Sequence, residues 1–183
     1  FTDMLMGLVF MHELTFVHRD LKCENIFLTF DEAQQRVIAK LGDFGFSLIV
    51  SPGVVDTGAV GSPHYYAPEL IRSSMFGPLA VQRDPFKADM WSLGVVLFCM
   101  LENVLPFDTP SGDALSVDLR YDIIEHRIKP RHNHLDNIHL FDFLRGLLQQ
   151  DVLLRRSAKQ CLDHQFIKET PHICLSLEDF NKL

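Results

Sequence analysis

The stretch that decides the fold of this chain is a run of ten residues, His18-Arg19-Asp20-Leu21-Lys22-Cys23-Glu24-Asn25-Ile26-Phe27. A second, shorter run follows it as Asp43-Phe44-Gly45. Apolar residues before the first run recur at helical spacing and predict a helix that leads into it. Short β-branched and apolar segments at residues 26–30 and 37–41 predict a small hairpin between the two runs. We therefore expect both runs to present polar side chains from loops that a helix and a hairpin hold in place.

The residue types of the two runs suit one kind of chemistry. The Asp20 carboxylate can accept or orient the proton of an attacking hydroxyl. Lys22 lies two residues further on, so in an extended loop it points to the same side and can meet a phosphate. Asn25 offers a neutral oxygen, and Asp43 a charged one, to a hard cation such as Mg²⁺. Together these groups can move a phosphoryl group onto a hydroxyl.

The two runs are informative because they occur together. Taken alone, Asp43-Phe44-Gly45 would be an ordinary turn, whereas the joined run from His18 to Asn25 is too specific to arise by chance. The first run resembles the catalytic loop of eukaryotic protein kinases, and the second resembles their metal-binding triplet. Residues 61–69 resemble the substrate-facing loop of that family, and residues 89–94 its central buried helix.

The resemblance extends over nearly the whole chain, since residues 151–166 resemble the closing helix, with Val152 and Gln165 in place of the usual prolines. It is a resemblance to a carboxy-terminal lobe. It implies a mainly α fold with a small β-hairpin, an α+β kinase fold that lacks its N-lobe. One partial kinase domain is expected over residues 1–183, with the catalytic loop at 18–27 and the activation segment at 43–69.

Carried across residue by residue, the resemblance implies ATP and Mg²⁺ as cofactors and a protein with Ser/Thr acceptors as substrate. It implies Asp20 as the catalytic base, Lys22 as the contact to the γ-phosphate, and Asn25 and Asp43 as Mg²⁺ ligands. Lys22 stands in place of the residues that tyrosine kinases use and so indicates a serine/threonine kinase. Asn25 is counted with Asp20 and Lys22 as catalytic. The residues expected to bind the cofactors are Lys22, Glu24, Asn25, Phe27 and Asp43.

Further implied roles concern the substrate and the adenine ring. The Ser62 hydroxyl is expected to bridge towards the base and the lysine. Glu24 stands where basophilic kinases read an arginine of the substrate, so we expect a basic peptide. Phe27 replaces a leucine that lies beneath the adenine ring in relatives. The larger ring either narrows that pocket or stacks on the base, and we favour stacking.

Five residues are expected to hold the site in place: His18, Phe44, Glu69, Asp89 and Arg155. The family pairs the positions of Glu69 and Arg155 as a buried ion pair, the alternative being that Arg155 is a solvated charge on a helix. Asp89 is expected to accept backbone N–H groups of the loop at His18, the alternative being an ordinary carboxylate at a helix start. Phe44 is expected to pack beside Asp43 and keep its geometry.

Arg19 implies a means of regulation. A buried guanidinium beside Asp20 needs an anionic partner, which phosphorylation of the activation segment would supply. Thr57 is the expected phosphorylation site. It lies one residue away from the usual position, where this chain has Gly58.

Composition sets the bounds of these expectations. At 183 residues, 47% hydrophobic and 22% charged, the chain fits one globular domain. A net charge of −7 argues against nucleic acid as a partner. The longest apolar stretch, residues 93–101, is far shorter than the ~20 residues of a membrane span, so no membrane association is expected. Four widely spaced cysteines indicate reduced thiols and a cytoplasmic protein.

Several alternatives remain open at this point. Within the kinase family, Cys23 and the segment after Gly45 are most similar to the testis-specific serine kinases and the calcium/calmodulin-dependent-like group. The chain could instead be a pseudokinase or docking module, or a truncated product. Only 17 residues precede His18, so we expect the missing N-lobe, with its glycine-rich loop and strand lysine, upstream of Phe1. This fragment is expected to be inactive without that lobe.

Overall fold

The computed structural model describes residues 1–51, 58–77, 83–107, 117–126 and 137–169. The described part of the chain is mainly helical, as the pattern of apolar residues predicts, and it contains two small sheets. Its elements in order are α1 (Thr2–Glu13), β1 (Phe16–Val17), β2 (Ile26–Asp31), β3 (Arg36–Leu41), β4 (Leu48–Ile49), α2 (Pro68–Phe76), α3 (Pro85–Glu102), α4 (Val117–Ile124), α5 (Ile138–Leu147), α6 (Ala158–Leu162) and α7 (Gln165–Glu169). Single 3-10 turns lie at Cys23–Asn25 and Pro63–Tyr65.

The predicted hairpin is confirmed. Strands β2 and β3 pair antiparallel, from Ile26 opposite Leu41 to Asp31 opposite Arg36. The Asp31 carboxylate accepts the backbone N–H groups of Ala33 and Gln34 in the connecting turn, as is usual for an aspartate that begins a turn. A second sheet, β1 with β4, was not predicted. Its strands are two residues long, which is too short to show an alternating pattern.

Helix α3 is the centre of the core. The sequence predicts it at 87–101, and the structure begins it at Pro85 because the Asp84 carboxylate caps the first turn through two backbone N–H groups. It ends where Asn103 adopts a left-handed conformation with φ of 54°. The Trp91 side chain is fully buried at its middle.

The remaining predicted helices are present. Within the described residues, the helix predicted at 115–127 spans Val117–Ile124, and the one predicted at 138–149 spans Ile138–Leu147. The single helix predicted at 157–167 is wrong in one respect, because it is divided into α6 and α7. Ser157 and Gln160 cap the start of α6 reciprocally. The break follows from His164, whose Nδ1 accepts the backbone N–H of Phe166.

The core anchors the first run by its apolar residues. Val17 and Leu21 are fully buried, next to the buried face of α1 that carries Leu5 and Leu8. The polar residues between and after these anchors therefore have a rigid base. Within the parts of the chain that the structure describes, no helix has both the length and the apolar character needed to cross a bilayer.

Candidate active site

Asp20 is the centre of the candidate site. Its side chain is only 4% exposed. Lys22 Nζ lies 3.1 Å from Asp20 Oδ2, and Asn25 Nδ2 donates to the same oxygen at 3.2 Å and to the Asp20 carbonyl oxygen at 2.8 Å. The 3-10 turn at Cys23–Asn25 folds Asn25 back towards Asp20. The structure thus brings together the three residues that the sequence assigns to catalysis.

The second oxygen of Asp20 is in a different situation. Oδ1 is buried and has no hydrogen-bond partner among the described residues. Gly61, with φ of +96°, packs directly against it, and a Cβ at that position would lie 2.7 Å from Oδ1. Only glycine tolerates this close approach in that conformation. A buried acceptor without a donor is costly and often marks a functional group.

The protonation state of Asp20 follows from its neighbours. Burial by itself raises the pKa of the carboxyl, but hydrogen bonds from Lys22, Ser62 and Asn25 and the charge of Lys22 outweigh it, so the pKa lies below 3.8. Asp20 is therefore ionised at neutral pH. Lys22 Nζ also donates to Ser62 Oγ at 3.1 Å, so Ser62 reaches the lysine as expected.

The backbones of Asn25 and Asp43 lie near each other. The Gly42 N–H, one residue before Asp43, donates to the Asn25 carbonyl oxygen at 2.9 Å. Asp43 has φ of +57°, and its Oδ1 accepts the Gly45 N–H. The Asn25 side-chain oxygen receives no hydrogen bond from any residue that the structure describes. An amide oxygen and a carboxylate are the kinds of oxygen ligand that fit Mg²⁺.

His18 connects the two runs. Its ring is fully buried, with Nε2 at 3.0 Å from the Gly42 carbonyl oxygen and Nδ1 accepting the Asp20 N–H. Phe44 contacts His18, with ring centroids 5.3 Å apart. Phe44 is nevertheless 53% exposed, so the expectation that it packs beside Asp43 is met on one face only. The hydrogen bond from the Gly42 N–H to the Asn25 carbonyl oxygen fixes the backbone before the triplet. The outer face of the Phe44 ring is exposed to solvent.

The predicted contacts of Asp89 are confirmed. Its carboxylate is buried and accepts the backbone N–H groups of His18 and Arg19, each at 2.9 Å. His12 Nε2 lies 3.0 Å from the same carboxylate. Sequence reasoning missed this third contact, because helical spacing places His12 in α1 and carries no information about its distant partner.

Arg19 lies on the other side of the loop. It has a left-handed conformation with φ of 65°, and its Nε donates to the Phe46 carbonyl oxygen at 2.6 Å. This bond ties the first run to the segment after the triplet. Thr57, the expected phosphorylation site, lies outside the described residues.

The buried ion pair of Glu69 and Arg155 is also confirmed. Arg155 Nη1 and Nη2 bond to the two carboxylate oxygens at 2.6 and 2.8 Å, and both side chains are buried. The guanidinium also donates to the carbonyl oxygens of Lys87 and Gln149, and it lies over the Trp91 ring. A fork-shaped guanidinium whose three nitrogens all donate hydrogen bonds can be buried at acceptable cost.

The other expected contacts to cofactor and substrate lie at the surface. Glu24 is exposed, and Phe27 is 56% exposed beside Leu28 on strand β2. The Phe27 ring packs against Gly42, where a side chain would collide with it. Phe27 therefore lies close to the residue that precedes Asp43. Its apolar face is open to a ligand or to a further part of the protein.

Cys23, within the first run, has partners that the sequence does not reveal. The pKa of the Cys23 thiol is lowered to about 6, chiefly through hydrogen bonding with Cys99 and further through Tyr65. The same bond raises the pKa of Cys99, while burial raises that of Tyr65. Wide spacing of cysteines excludes a C-x-x-C motif but not a contact between distant elements.

The chain is similar to known protein kinases. The family model described as protein kinase domain matches residues 1–167. The chain is 34% identical, over 90% of its length, to calcium-dependent protein kinase 20 of Oryza sativa subsp. japonica, of which the match covers 28%. It is 30% identical over 94% of its length to serine/threonine-protein kinase GIN4 of Saccharomyces cerevisiae, covering 14% of that protein. It is 31% identical over 93% of its length to serine/threonine-protein kinase ATG1a of Arabidopsis thaliana, covering 26%. The chain thus spans about a quarter or less of the length of these relatives.

Proposed function

Because this chain belongs to the family of protein kinase domains, we propose that it acts as the carboxy-terminal lobe of a serine/threonine protein kinase. The observation that carries this proposal is the convergence of Asp20, Lys22, Asn25 and Ser62 from two separate loops. A module that only binds other proteins has no physical need for this arrangement. The relatives' names include serine/threonine kinases, which supports Ser or Thr as the acceptor.

Asp20 and Lys22 have different roles in the proposed phosphoryl transfer. The ionised Asp20 carboxylate orients the substrate hydroxyl and accepts its proton as that hydroxyl attacks the γ-phosphate of ATP. Lys22, held between Asp20 Oδ2 and Ser62 Oγ, places its positive charge beside the transferred phosphoryl group. Ser62 keeps the lysine directed to this position. Asp89 acts as a positioning residue, since it holds the backbone immediately before Asp20.

Asn25 and Asp43 would hold Mg²⁺ through their side-chain oxygens. Bound Mg²⁺ neutralises charge on the phosphate oxygens of ATP. The hydrogen bond between Gly42 N and Asn25 O keeps the backbones of these two ligands adjacent. Phe27, exposed next to this point, would offer its ring to the adenine base. Glu24, also exposed, would meet the nucleotide or a basic residue of the peptide.

The finer assignments rest on the same resemblance. We assign a basic protein substrate, because Glu24 presents an exposed negative charge four residues after the candidate base. Phosphorylation of Thr57 would supply an anion to Arg19. The calcium-dependent kinases among the relatives agree with a calcium/calmodulin-dependent-like group, within which the testis-specific serine kinases are our choice. A cytoplasmic location fits the unpaired cysteines of the described residues.

The amino-terminal lobe is the proposed partner of this chain. Phe27 and Phe44, which lie close to Asn25 and Asp43 in the sequence, are each more than half exposed. Exposed apolar side chains beside a site are typical of a surface that another part of a protein covers. We propose that the amino-terminal lobe covers this surface and supplies the remaining contacts to ATP. The chain without that lobe would then have little affinity for the nucleotide.

The test is transfer of the γ-phosphate from ATP to a basic serine-containing peptide by the complete natural protein that contains this chain. Asp20→Asn is expected to lower the rate by roughly 10²–10⁴-fold, the usual contribution of a general base. Asp142→Asn is the matched control, because Asp142 is an exposed carboxylate of α5 that contacts His164 and Arg156. Its rate should equal that of the wild type. Equal rates for all three proteins would refute the assigned base.

A further inference from the structure

Gly61 lies directly beside the candidate base, at a position where a side chain does not fit. Its φ is +96°, and a Cβ there would lie 2.6 Å from the Arg19 carbonyl oxygen and 2.7 Å from Asp20 Oδ1. Glycine is also the residue with the greatest freedom of backbone rotation. The segment that closes one side of Asp20 therefore needs a further contact to keep its conformation.

The Tyr66 hydroxyl supplies such a contact. It donates a hydrogen bond to the Gly61 carbonyl oxygen at 3.0 Å. Burial, and then the negative charge of Asp20, raise the pKa of this hydroxyl, so it keeps its proton and stays a donor at neutral pH. The carbonyl oxygen belongs to the planar peptide unit between Gly61 and Ser62, so this bond fixes the orientation of that unit.

Tyr66 is itself attached to the core. Its backbone N–H donates to the Pro63 carbonyl oxygen at 3.1 Å and closes the turn Pro63–Tyr65. Ser92 of α3 donates to the Tyr65 carbonyl oxygen at 2.8 Å and fastens this turn to the central helix. The Tyr66 ring is partly buried against the hydrophobic core. The hydroxyl therefore extends from a rigid base towards the glycine.

The peptide unit after Gly61 leads directly to the catalytic groups. Ser62 Oγ accepts a hydrogen bond from Lys22 Nζ at 3.1 Å, and the same nitrogen lies 3.1 Å from Asp20 Oδ2. A rotation of this unit would move Ser62 away from Lys22. It would also move Gly61 away from Asp20 Oδ1. Both contacts of the segment with the catalytic pair therefore depend on the orientation of one peptide unit.

From this arrangement we infer that Tyr66 is a positioning residue for phosphoryl transfer, acting through Gly61 on Asp20 and Lys22. The inference rests on the proposed function. The tyrosine keeps the glycine against the base and the serine against the lysine. Loss of its hydroxyl should slow the chemical step and leave the binding of both substrates unchanged, because the reacting groups are then less precisely aligned.

The kinetic test is Tyr66→Phe in the complete natural protein that contains this chain, since this change removes the hydroxyl and keeps the ring. We expect kcat for transfer of the γ-phosphate to a serine-containing peptide to fall by roughly 3–10-fold, the effect of losing one hydrogen bond. The KM values for ATP and peptide should stay the same. Equal kcat values for wild type and variant, or a change confined to KM, would overturn the inference.

Ser74→Ala is the matched control. It also removes a hydroxyl that bonds to a carbonyl oxygen, that of Ile71 within α2, and it should keep the wild-type kcat. A loss as large as that of Tyr66→Phe would show that any such bond in this region affects the rate. The role assigned to Tyr66 would then be wrong.

A double variant tests whether Tyr66 acts through Gly61. Gly61→Ala alone should lower kcat more than Tyr66→Phe does, because its Cβ does not fit beside Asp20. Adding Tyr66→Phe to it should cause no further loss, since the contact that the tyrosine maintains is already gone. Losses that multiply would show that the two residues act independently, contrary to the inference.

A spectroscopic measurement on this chain tests the hydrogen bond without a kinase assay. Gly61-Ser62 is the only Gly-Ser pair in the sequence, so glycine labelled with ¹³C at the carbonyl and serine labelled with ¹⁵N give a single carbonyl–amide correlation. Tyr66→Phe should shift the Gly61 carbonyl resonance upfield, and Ser74→Ala should leave it in place. An unchanged resonance in Tyr66→Phe would overturn this inference alone. No phosphoryl transfer by the wild type would refute the proposed function and this role together.

Discussion

Arg155 shows at the scale of one residue how this chain buries a charge. Both of its terminal nitrogens bond to Glu69, and its other donors reach the backbone. Its guanidinium lies 5.1 Å from the centre of the Trp91 ring. The pair joins α2 to the loop before α6. Removing one partner of such a pair is strongly destabilising, because the other charge remains buried without a counter-charge.

Arg155→Ala is expected to destabilise the chain by about 3–5 kcal/mol, which corresponds to a fall in Tm of roughly 6–20 °C for a chain of this size. The physical reason is that Glu69 keeps its buried charge without a partner. Thermal unfolding followed by circular dichroism measures the change.

Arg156→Ala is the matched control for this prediction. Arg156 is the next residue, and its partner Asp142 is exposed. An exposed ion pair contributes about 0–1 kcal/mol, so the Tm should change little. Equal Tm values for the two variants would show that the pair of Glu69 and Arg155 is energetically unimportant.

At the scale of elements, the first turns of α3 have two separate tasks. Asp84 caps the helix by accepting N–H groups of its own first turn. Asp89, one turn further along, accepts N–H groups from outside the helix, at His18 and Arg19. The helix therefore holds the first run directly by hydrogen bonds, and the loop does not depend on its own short-range contacts alone.

Asp89→Ala is expected to increase hydrogen exchange at the backbone amides of His18 and Arg19. Each loses its acceptor in a buried site, at a cost of about 1–3 kcal/mol, so the loop opens more often than the rest of the domain. Exchange measured by mass spectrometry or NMR tests this. Asp84→Ala, which removes a cap worth about 0.5–2 kcal/mol, is the control and should leave these two amides protected. The same protection in both variants would argue against Asp89 as the support of the loop.

For the whole molecule, the important quantity is the apolar surface around the candidate site. Phe27 and Leu28 are 56% and 53% exposed. The net charge of −7 opposes association, and salt weakens this repulsion. We therefore expect the chain without a partner lobe to self-associate as concentration and salt increase.

The double variant Phe27→Gln/Leu28→Gln is expected to weaken this self-association by about tenfold or more, because the apolar area that drives it is removed. Sedimentation velocity over a range of concentrations measures the change. The control is Leu153→Gln/Leu154→Gln, which removes two leucines that are each 68% exposed in the loop before α6, away from the candidate site. If the control double variant had the larger effect, the surface around Phe27 would not be the one that a partner covers.

Much of the fold could be predicted because the informative residues are consecutive. The first run, the triplet and the apolar stretch of α3 each show a local pattern, and a helix or hairpin depends mainly on such patterns. The ion pair of Glu69 and Arg155 could be predicted only by resemblance to a family. Nothing in their spacing of 86 residues indicates a contact.

The sequence by itself therefore determined which residues carry the candidate chemistry, since residue type and order are local information. The tertiary structure alone decided what surrounds them: His12 at Asp89, Gly61 against Asp20 and the pairing of β1 with β4. These contacts join residues that are distant along the chain. Core packing selects such contacts only when all elements come together, so they leave no periodic pattern in the sequence.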